Sequence, residues 1–585
     1  MLKLFKTFTK TEWLLCIAAV LCVCGIVWLE LTIPDYMSEI TVLVQTEGSQ
    51  MSDIIFAAVM MIICAIGSLL FSVAVAVLSS RVAANFSARL RSRLFNRVQE
   101  FSLEEIGRFS TASLITRSTN DVTQVQNVIV MGLQAIIKAP ITCVWAICKI
   151  SNKAWQWTFS TAMAVVVLVI VVGTCMLIAI PKFRALQRLT DDLNRVTREN
   201  LNGLHVVRAY NAEKYQEAKF EGANTALTDA NLFANRTMAF MNPGIQLVNS
   251  GLSLAVYWIG AFIIAQAAMM DRIQLFSDMV VFLSYAMQVV MSFMMLIMIF
   301  MIIPRAQVAA TRINEVLGTK AKIKDGTVTE SDPARKGTVE FKNVSFRYPG
   351  ADEAVIENIS FTANRGETVA FIGATGCGKS TVINLIPRFY DVTEGQVLVD
   401  GVDVRDYTQK ALRNKIGYVS QKAVLFAGTV RSNIAYGDNG RGSIQDSDVV
   451  DAVFTAQASE FVEKLPKAYD GRVAQGGSNF SGGQKQRLSI ARAIARHAEI
   501  LIFDDSFSAL DYKTDRVLRD ALKKECAGAT RLIVAQRIGT IRDADRIVVL
   551  EKGRVAGIGT HRELMETCEV YQEIALSQLS KEELA

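Results

Sequence analysis

Nine residues between positions 373 and 381 have the types and spacing that grip the phosphates of a nucleotide. They read Gly-Ala-Thr-Gly-Cys-Gly-Lys-Ser-Thr and follow the apolar segment 369–372, which predicts a strand, a loop and then a helix. Such a loop wraps main-chain N–H groups around an anion at the positive end of the helix. Lys379 is predicted to contact the β- and γ-phosphates, and Ser380 to bind Mg²⁺. The predicted nucleotide-binding residues of this loop are Gly373, Thr375, Gly376, Cys377, Gly378, Lys379, Ser380 and Thr381.

A second apolar segment, 500–504, predicts a buried strand that ends in the carboxylate of Asp504. A carboxylate in that position completes a Mg²⁺ site with the loop serine, either directly or through water. Up to this point the pattern fits any nucleoside triphosphatase with a phosphate-binding loop.

The segment 479–487 indicates which class of nucleoside triphosphatase this is. It reads Asn-Phe-Ser-Gly-Gly-Gln-Lys-Gln-Arg and precedes a predicted helix. It resembles the signature of ABC transporters, with Phe480 in place of the usual leucine. The resemblance implies that the signature meets the ATP held by the loop of a second chain, and a helix N-terminus is suited to such an anion. The residues implied to do so are Ser481, Gly482, Gly483 and Gln484.

Three further motifs strengthen the resemblance. Tyr348 matches the aromatic residue that stacks on adenine, Gln421 matches the Q-loop, and segment 508–511 matches the D-loop. Because apolar spans precede these motifs, the chain resembles an ABC exporter half-transporter along nearly its whole length. That family implies ATP and Mg²⁺ as cofactors, with Gln421 serving both the metal and the catalytic step.

Two catalytic positions depart from the family pattern. Asp505 stands where the family has a glutamate that positions the attacking water, and Gln536 stands where it has a histidine that contacts the γ-phosphate. Aspartate is one methylene shorter, and glutamine has no titratable proton. Both changes affect one step while every binding motif is retained. This pattern is similar to the degenerate-site subunit of heterodimeric multidrug exporters; an active homodimer with slow hydrolysis is the alternative.

The amino-acid composition indicates which structural elements carry these motifs. The chain has 585 residues, of which 51% are hydrophobic, and a mean hydropathy of +0.28. Apolar runs of membrane-spanning length concentrate before residue 305. They predict six spans, near 13–34, 53–79, 127–149, 156–180, 243–269 and 276–303. The expected fold is an all-α transmembrane domain of six helices with long cytoplasmic helical extensions, followed by an α/β ATPase domain. The expected boundaries are 1–318, a linker at 319–337, and 338–585.

The loops between the spans predict the topology. Segment 81–126 carries seven arginines, whereas segment 35–53 carries four carboxylates and no lysine or arginine. We therefore expect a multi-pass protein of the cell membrane, and the positive-inside rule places both of its termini in the cytoplasm. The basic residues set topology, and no nucleic-acid partner is expected. The tips of the long helical segments, 104–109 and 203–210, either dock on the ATPase domain or end as solvated hairpins.

Two features of the predicted spans have more than one possible role. Lys138 lies inside a predicted span, where a charge either lines a substrate path, pairs with another helix or extends toward the interface. Methionines are abundant in the sixth span and either adapt to varied ligands or simply pack. The leading interpretation is an ATP-driven exporter of an amphipathic drug, lipid or peptide that works with a second half-transporter. The alternative is a regulatory membrane subunit that binds ATP without pumping.

Overall fold

The computed structural model describes residues 2–46, 48–151, 153–268 and 271–579. Two compact units form within it. The first contains Met1–Val98 and Ala112–Thr319, and the second contains Gln99–Thr111 and Lys320–Ala585. The short segment Gln99–Thr111, which lies between helical residues of the first unit in the sequence, therefore belongs with the C-terminal unit.

The N-terminal part of the chain is entirely helical where it is described. Its long helices consist of apolar residues with charged ends, and they pack through stripes of buried side chains. The helices are α1 (Leu2–Phe5), α2 (Lys10–Gln45), α3 (Met51–Gln99), α4 (Leu103–Phe109), α5 (Thr111–Ser118), α6 (Asn120–Met131), a π-helical turn at Gly132–Ile136, α7 (Lys138–Ser151), α8 (Trp155–Asn202), α9 (Leu204–Ala209), α10 (Glu213–Ala239), α11 (Met241–Gln266) and α12 (Arg272–Gly318).

Six helical segments of the described chain are long and apolar enough to cross a membrane, which confirms the predicted number. They are Lys10–Gln45, Met51–Gln99, Thr111–Ser151, Trp155–Ala179, Glu213–Gln266 and Arg272–Ile297. The predicted extension beyond the bilayer is also seen, since α3 has 49 residues and is therefore about 74 Å long. Two details differ. The third span is interrupted by the π-helical turn, and α11 ends at Gln266 instead of reaching 269, a residue outside the described ranges.

The two helical tips differ in their surroundings. Helix α4, at the first tip, lies in the second unit, where Glu105 Oε1 accepts a hydrogen bond from the main-chain N–H of Lys322 at 3.2 Å. The ammonium of Lys322 also lies 3.0 Å from a carboxylate oxygen of Glu104. Helix α9, at the second tip, belongs to the first unit and leaves Val206 and Tyr210 exposed. Docking of the second tip stays a prediction.

The second unit is an α/β domain whose strands and helices alternate along the chain. Its elements are β1 (Val339–Phe346), β2 (Ile356–Ala363), β3 (Thr368–Gly373), α13 (Lys379–Leu385), β4 (Glu394–Val399), β5 (Val402–Asp403), α14 (Gln409–Asn414), β6 (Ile416–Val419), β7 (Gly428–Thr429), α15 (Val430–Ile434), α16 (Asp446–Thr455), α17 (Ser459–Val462), β8 (Arg472–Val473), α18 (Gly482–Ile494), β9 (Ile500–Asp504), α19 (Tyr512–Glu525), β10 (Thr530–Val534), α20 (Ile538–Ile541), β11 (Arg546–Glu551), β12 (Arg554–Gly559), α21 (His561–Thr567) and α22 (Glu569–Leu576), with 3₁₀ turns at Pro333–Arg335, Ala468–Asp470 and Gln475–Gly477.

A six-stranded sheet in the order β12-β11-β3-β10-β9-β6 is the centre of this unit. Strands β11, β3, β10, β9 and β6 run parallel, and β12 runs antiparallel to β11. Parallel strands covered on both faces are buried along their whole length, as β9 and β10 are. A four-stranded antiparallel sheet, β2-β1-β4-β5, packs beside it and shares an apolar core with the phosphate-binding helix α13. The carboxyl ends of β3, β10, β9 and β6 therefore meet at one edge.

Candidate functional site

The phosphate-binding loop joins β3 to α13 at that edge. Two glycines are required by the backbone. Gly378 has a φ of +98°, and a Cβ there would lie 2.5 Å from Ile356 Cγ2, while a Cβ on Gly373 would lie 2.1 Å from the carbonyl oxygen of Leu550. Both contacts are far below van der Waals separation, so only glycine allows the loop to close this tightly. The predicted strand, loop and helix context is therefore present.

The ammonium of Lys379 lies inside the loop. It donates hydrogen bonds to the carbonyl oxygens of Gly373 and Ala374, each at 2.8 Å. The side chain of Cys377 is buried, with its Sγ 3.6 Å from the same ammonium. Cys377 can therefore serve nucleotide only through its main chain, whereas Lys379 is held where it can exchange carbonyl oxygens for phosphate oxygens.

The predicted metal ligands Ser380 and Asp504 are adjacent. The hydroxyl of Ser380 donates to Asp504 Oδ1 across 2.8 Å. Burial raises the pKa of Asp504, the nearby Asp505 charge raises it further, and the hydrogen bond from Ser380 opposes both. Among the described residues no group of three or more His, Cys, Asp or Glu side chains gathers as a metal cage. One carboxylate and one hydroxyl beside a phosphate loop nevertheless fit Mg²⁺, which keeps waters and takes its other ligands from phosphates.

Asp505 occupies a constrained position directly after β9. Its φ is +47°, in the left-handed region, and its side chain is buried. Gln536, which follows β10, donates to Asp505 Oδ2 at 2.9 Å, and Gln421, which follows β6, donates to the same oxygen at 3.3 Å. Burial raises the pKa of Asp505, while the hydrogen bonds from Gln421 and Ser508 act in the opposite direction. The structure thus brings together the three predicted catalytic side chains.

The predicted adenine-stacking residue, Tyr348, lies near the amino end of α13. Its hydroxyl is 3.1 Å from the Oγ1 of Thr381. Its ring packs edge-on against Phe346 and Tyr390, with centroids 4.9 and 5.3 Å away. A cavity of about 540 Å³ opens beside these rings. The aromatic ring is therefore fixed by its neighbours, and it lines this cavity.

The signature segment forms the start of α18. Ser481 caps the helix by accepting from the main-chain N–H of Gln484 at 3.3 Å, and the Gln484 side chain accepts from the Ser481 N–H at 2.9 Å. This reciprocal capping box fixes the helix N-terminus. Ser481 and Gly482 are exposed, so the positive end of the helix is available to an anion presented from outside. Gly483 lies against the chain, since a Cβ there would be 3.1 Å from the Ala509 carbonyl oxygen.

Sequence reasoning missed one residue of the site. Gln578, near the end of the described chain, donates to the main-chain carbonyl of Gln536 at 2.7 Å and accepts from the N–H of Ile538 at 2.8 Å. It therefore holds the backbone that carries Gln536. The sequence offered no signal for it, because a lone glutamine in a polar C-terminal segment has no motif around it.

A membrane-spanning helical unit joined to an α/β unit with a glycine-rich loop after β3, a serine–aspartate pair beside it and a capped signature helix is the arrangement of a membrane-bound ATPase of the ABC type. Comparisons agree with that class. The ABC transporter model matches residues 356–508, and the model of the ABC transporter transmembrane region matches residues 14–293. The chain is 40% identical to an uncharacterized ABC transporter ATP-binding protein of Mycobacterium tuberculosis over 519 residues, which is 88% of this chain and 87% of the relative.

Two further relatives define the subgroup. An ATP-dependent lipid A-core flippase of Pseudomonas aeruginosa is 34% identical over 480 residues, which cover 81% of this chain and 77% of the flippase. A bacterial Atm1-family ABC exporter with ATP bound superposes with a TM-score of 0.77 at 26% identity, covering 97% of this chain and 98% of the exporter. The chain belongs to the ABC transporter family, and it is an exporter-type half-transporter with fused transmembrane and ATPase domains.

Proposed function

We propose that this half-transporter binds ATP at a catalytically impaired site and lends its signature to the working site of a different partner half-transporter. The observation that carries the proposal is the arrangement of Asp505, whose carboxylate is one methylene shorter than glutamate and is held by two amides. A misplacement of about 1 Å can cost about 10²-fold in rate. Because Gln536 and Gln421 donate to the same oxygen, these hydrogen bonds fix the carboxylate and occupy one of its two oxygens.

The binding parts of the site support retention of ATP. Lys379, the Ser380–Asp504 pair and the Tyr348 ring are all in place. The exposed capping box at Ser481 supports the second half of the proposal, because oriented N–H groups at a helix start stabilise phosphate charge. In the pair, this chain's loop site holds ATP with Mg²⁺, and hydrolysis occurs mainly where its signature completes the partner's loop site.

The transported substrate is proposed to be an amphipathic molecule, moved out of the cytoplasm or the inner leaflet, with both termini of the chain in the cytoplasm. The named lipid A-core flippase relatives favour a lipid-like substrate, and a drug or a peptide would present the same combination of polar and apolar parts. An active homodimer with slow hydrolysis, or a regulatory ATP-binding subunit, would use the same binding residues.

The decisive experiment measures which nucleotide each site holds during turnover. The purified pair turns over a Mg-bound azido analogue of ATP and is photolabelled during turnover, and the nucleotide attached to each chain is identified after an acid stop. ATP is expected to persist at this chain's loop while ADP accumulates at the partner's. Equal and rapid formation of ADP at both sites would contradict the impaired-site proposal. Inside-out vesicles that hydrolyse ATP without accumulating any amphiphile would favour the regulatory alternative.

A further inference from the structure

An ion pair crosses two spans in the membrane unit. The ammonium of Lys138 lies 2.8 Å from Glu30 Oε1, joining the start of α7 to α2, so the structure makes Lys138 part of an inter-helix pair. The two side chains are 28% and 31% exposed, so the pair is accessible without being solvated on all sides. On α2, Glu30 follows buried Ile26 and precedes buried Pro34 by one turn each. It therefore points toward the helix bundle, where membrane charges usually face a polar path.

Two buried polar atoms without partners in the described chain lie on α7, the helix of Lys138, and on α12, which packs against α7 and α2. Thr142, one turn beyond Lys138 on α7, is 6% exposed, and its hydroxyl makes no hydrogen bond within the described chain. On α12, the buried Oε1 of Gln288 also lacks a partner in the described residues. Gln288 is one turn from Tyr285, which donates to the carbonyl of Leu31, the neighbour of Glu30, at 3.0 Å. Buried polar atoms of this kind are normally satisfied, so they indicate a ligand or water.

The helix carrying Lys138 has a special backbone immediately before it. Residues Gly132–Ile136 form a π-helical turn, the only one among the described residues. Single turns of this kind are frequent at functional sites, and they rotate the following helix relative to its regular register. Here the rotation sets the direction of Lys138, which lies two residues after the turn. The backbone conformation before α7 therefore determines where the ammonium group of Lys138 lies.

The opposite charges of Glu30 and Lys138 determine which kind of ligand charge can bind between them. A charge inside a membrane span is costly when it has no partner, so an ion pair there that loses one member leaves an unfavourable uncompensated charge. A ligand with a single charge could bind one side chain only by leaving the other unpaired. A headgroup with one cation and one anion satisfies both, placing its anion on Lys138 and its ammonium on Glu30. The hydroxyl of Thr142 can then donate or accept a further hydrogen bond, and the amide oxygen of Gln288 can accept one.

We infer that Glu30 and Lys138 form a recognition site for amphiphiles with zwitterionic headgroups, exchanging their mutual ion pair for contacts with both headgroup charges. The inference rests on the proposed export function and names the substrate class for it. It also predicts that neutralising one member changes the preferred charge. Without Glu30 the remaining ammonium favours anionic amphiphiles, and without Lys138 the remaining carboxylate favours cationic ones.

The test uses three single-chain amphiphiles of equal chain length in inside-out proteoliposomes containing the full pair. Lysophosphatidylcholine is the zwitterionic probe, lysophosphatidic acid the anionic probe, and an alkyltrimethylammonium the cationic probe. Competition of each against a fluorescent zwitterionic lysolipid measures ATP-dependent uptake. Wild type is expected to prefer the zwitterion about tenfold, which corresponds to one charge contact of roughly 1.4 kcal/mol. Glu30→Gln should shift the preference to the anion, and Lys138→Gln to the cation.

Two further variants make the result decisive. The exchanged pair, Glu30→Lys with Lys138→Glu, should regain the zwitterion preference and so exclude misfolding. Lys153→Gln is the matched control, because Lys153 pairs with Asp278 at 2.7 Å with a similar degree of exposure and should leave the ranking unchanged. Uptake with one ranking of probes in all variants would overturn this inference alone. No ATP-dependent uptake of any probe by wild type would overturn the proposed export function and this inference with it.

Discussion

The amide nitrogen of Gln536 lies 2.9 Å from Oδ2 of Asp505, joining the ends of two neighbouring parallel strands. These are the two positions at which the chain departs from the family's catalytic residues. The substitutions therefore form one contact: a glutamine that reaches a short carboxylate. A change at either residue alone would disturb the other, and predictions about the site must treat the two side chains as a unit.

The first prediction concerns repair of that unit. Asp505→Glu with Gln536→His lengthens the carboxylate and restores an imidazole, so hydrolysis at this chain's site should rise by about tenfold or more, toward the 10²-fold that a 1 Å displacement can cost. The measurement is the ADP fraction at this chain's loop after a single turnover. Asp505→Glu alone is the control and should gain less, since Gln536 still donates to the carboxylate. An unchanged ADP fraction in the double variant, paired with an intact partner signature, would contradict the assigned roles.

The second prediction concerns the exposed signature. Gly482→Asp places a negative charge at the helix start capped by Ser481, which the proposed function directs at the partner's ATP. Loss of such oriented electrostatic stabilisation typically costs about 10²–10³-fold in rate. Asp505→Asn changes a group that the proposed function takes to be poorly placed for hydrolysis, so steady-state ATPase of the pair should stay within a few-fold of wild type. Equal damage from both substitutions would show that this chain's own site is a working hydrolase.

The third prediction concerns Gln578. Gln578→Ala removes two hydrogen bonds to the backbone around Gln536, each worth about 0.5–1.5 kcal/mol. The Gln536 side chain then loses its fixed position, and retention of ATP at this site should shorten several-fold in a nucleotide-release assay. Gln572→Ala is the matched control, because Gln572 donates to the carbonyl of Met565 at 2.8 Å away from the site. Similar release rates for the two variants would reduce Gln578 to a general stabilising residue.

The fourth prediction concerns stability. Lys415 pairs at 2.8 Å with Asp400, whose side chain is fully buried and also accepts from the N–H of Gly337 at 2.7 Å. Lys415→Met leaves that carboxylate uncompensated, which should lower the unfolding free energy by about 3–5 kcal/mol. Adding Asp400→Asn should recover part of the loss. Lys410→Met, which removes an exposed pair with Asp438, should leave the unfolding free energy nearly unchanged, because solvent screens such pairs. Thermal unfolding of the full chain distinguishes these outcomes, and equal shifts for both lysines would contradict the prediction.

Much of this architecture could be predicted because local patterns determine it. Apolar runs define spans, and an apolar strand followed by a glycine-rich loop defines a phosphate site. The sheet then brings Gln421, Asp505 and Gln536 together, since they follow adjacent parallel strands. Only the parallel order of the strands, a long-range property, converts three distant sequence positions into one cluster.

Long-range pairing explains what sequence reasoning missed. Glu30 is 108 positions from Lys138, and nothing local to either residue names the other. Gln578 is 42 positions from Gln536 and reaches it through a C-terminal segment with no motif. The burial of Cys377 likewise follows from its place in an apolar cluster to which both sheets contribute, which the loop motif alone does not show. Contacts of this kind depend on the tertiary fold, which propensity and periodicity do not specify.

The membership of segment Gln99–Thr111 in the second unit has a consequence for how the protein is made. The segment leaves the ribosome well before the rest of that unit, which begins at Lys320. At a usual synthesis rate of about 5–20 residues per second, it waits roughly half a minute to a minute and a half for the last ATPase residues. During that interval Phe101 and Phe109, both buried in the finished chain, have no ATPase surface to cover them. The two parts of the ATPase unit are therefore synthesised at different times. The unit can fold completely only after the membrane helices between its two parts have been synthesised.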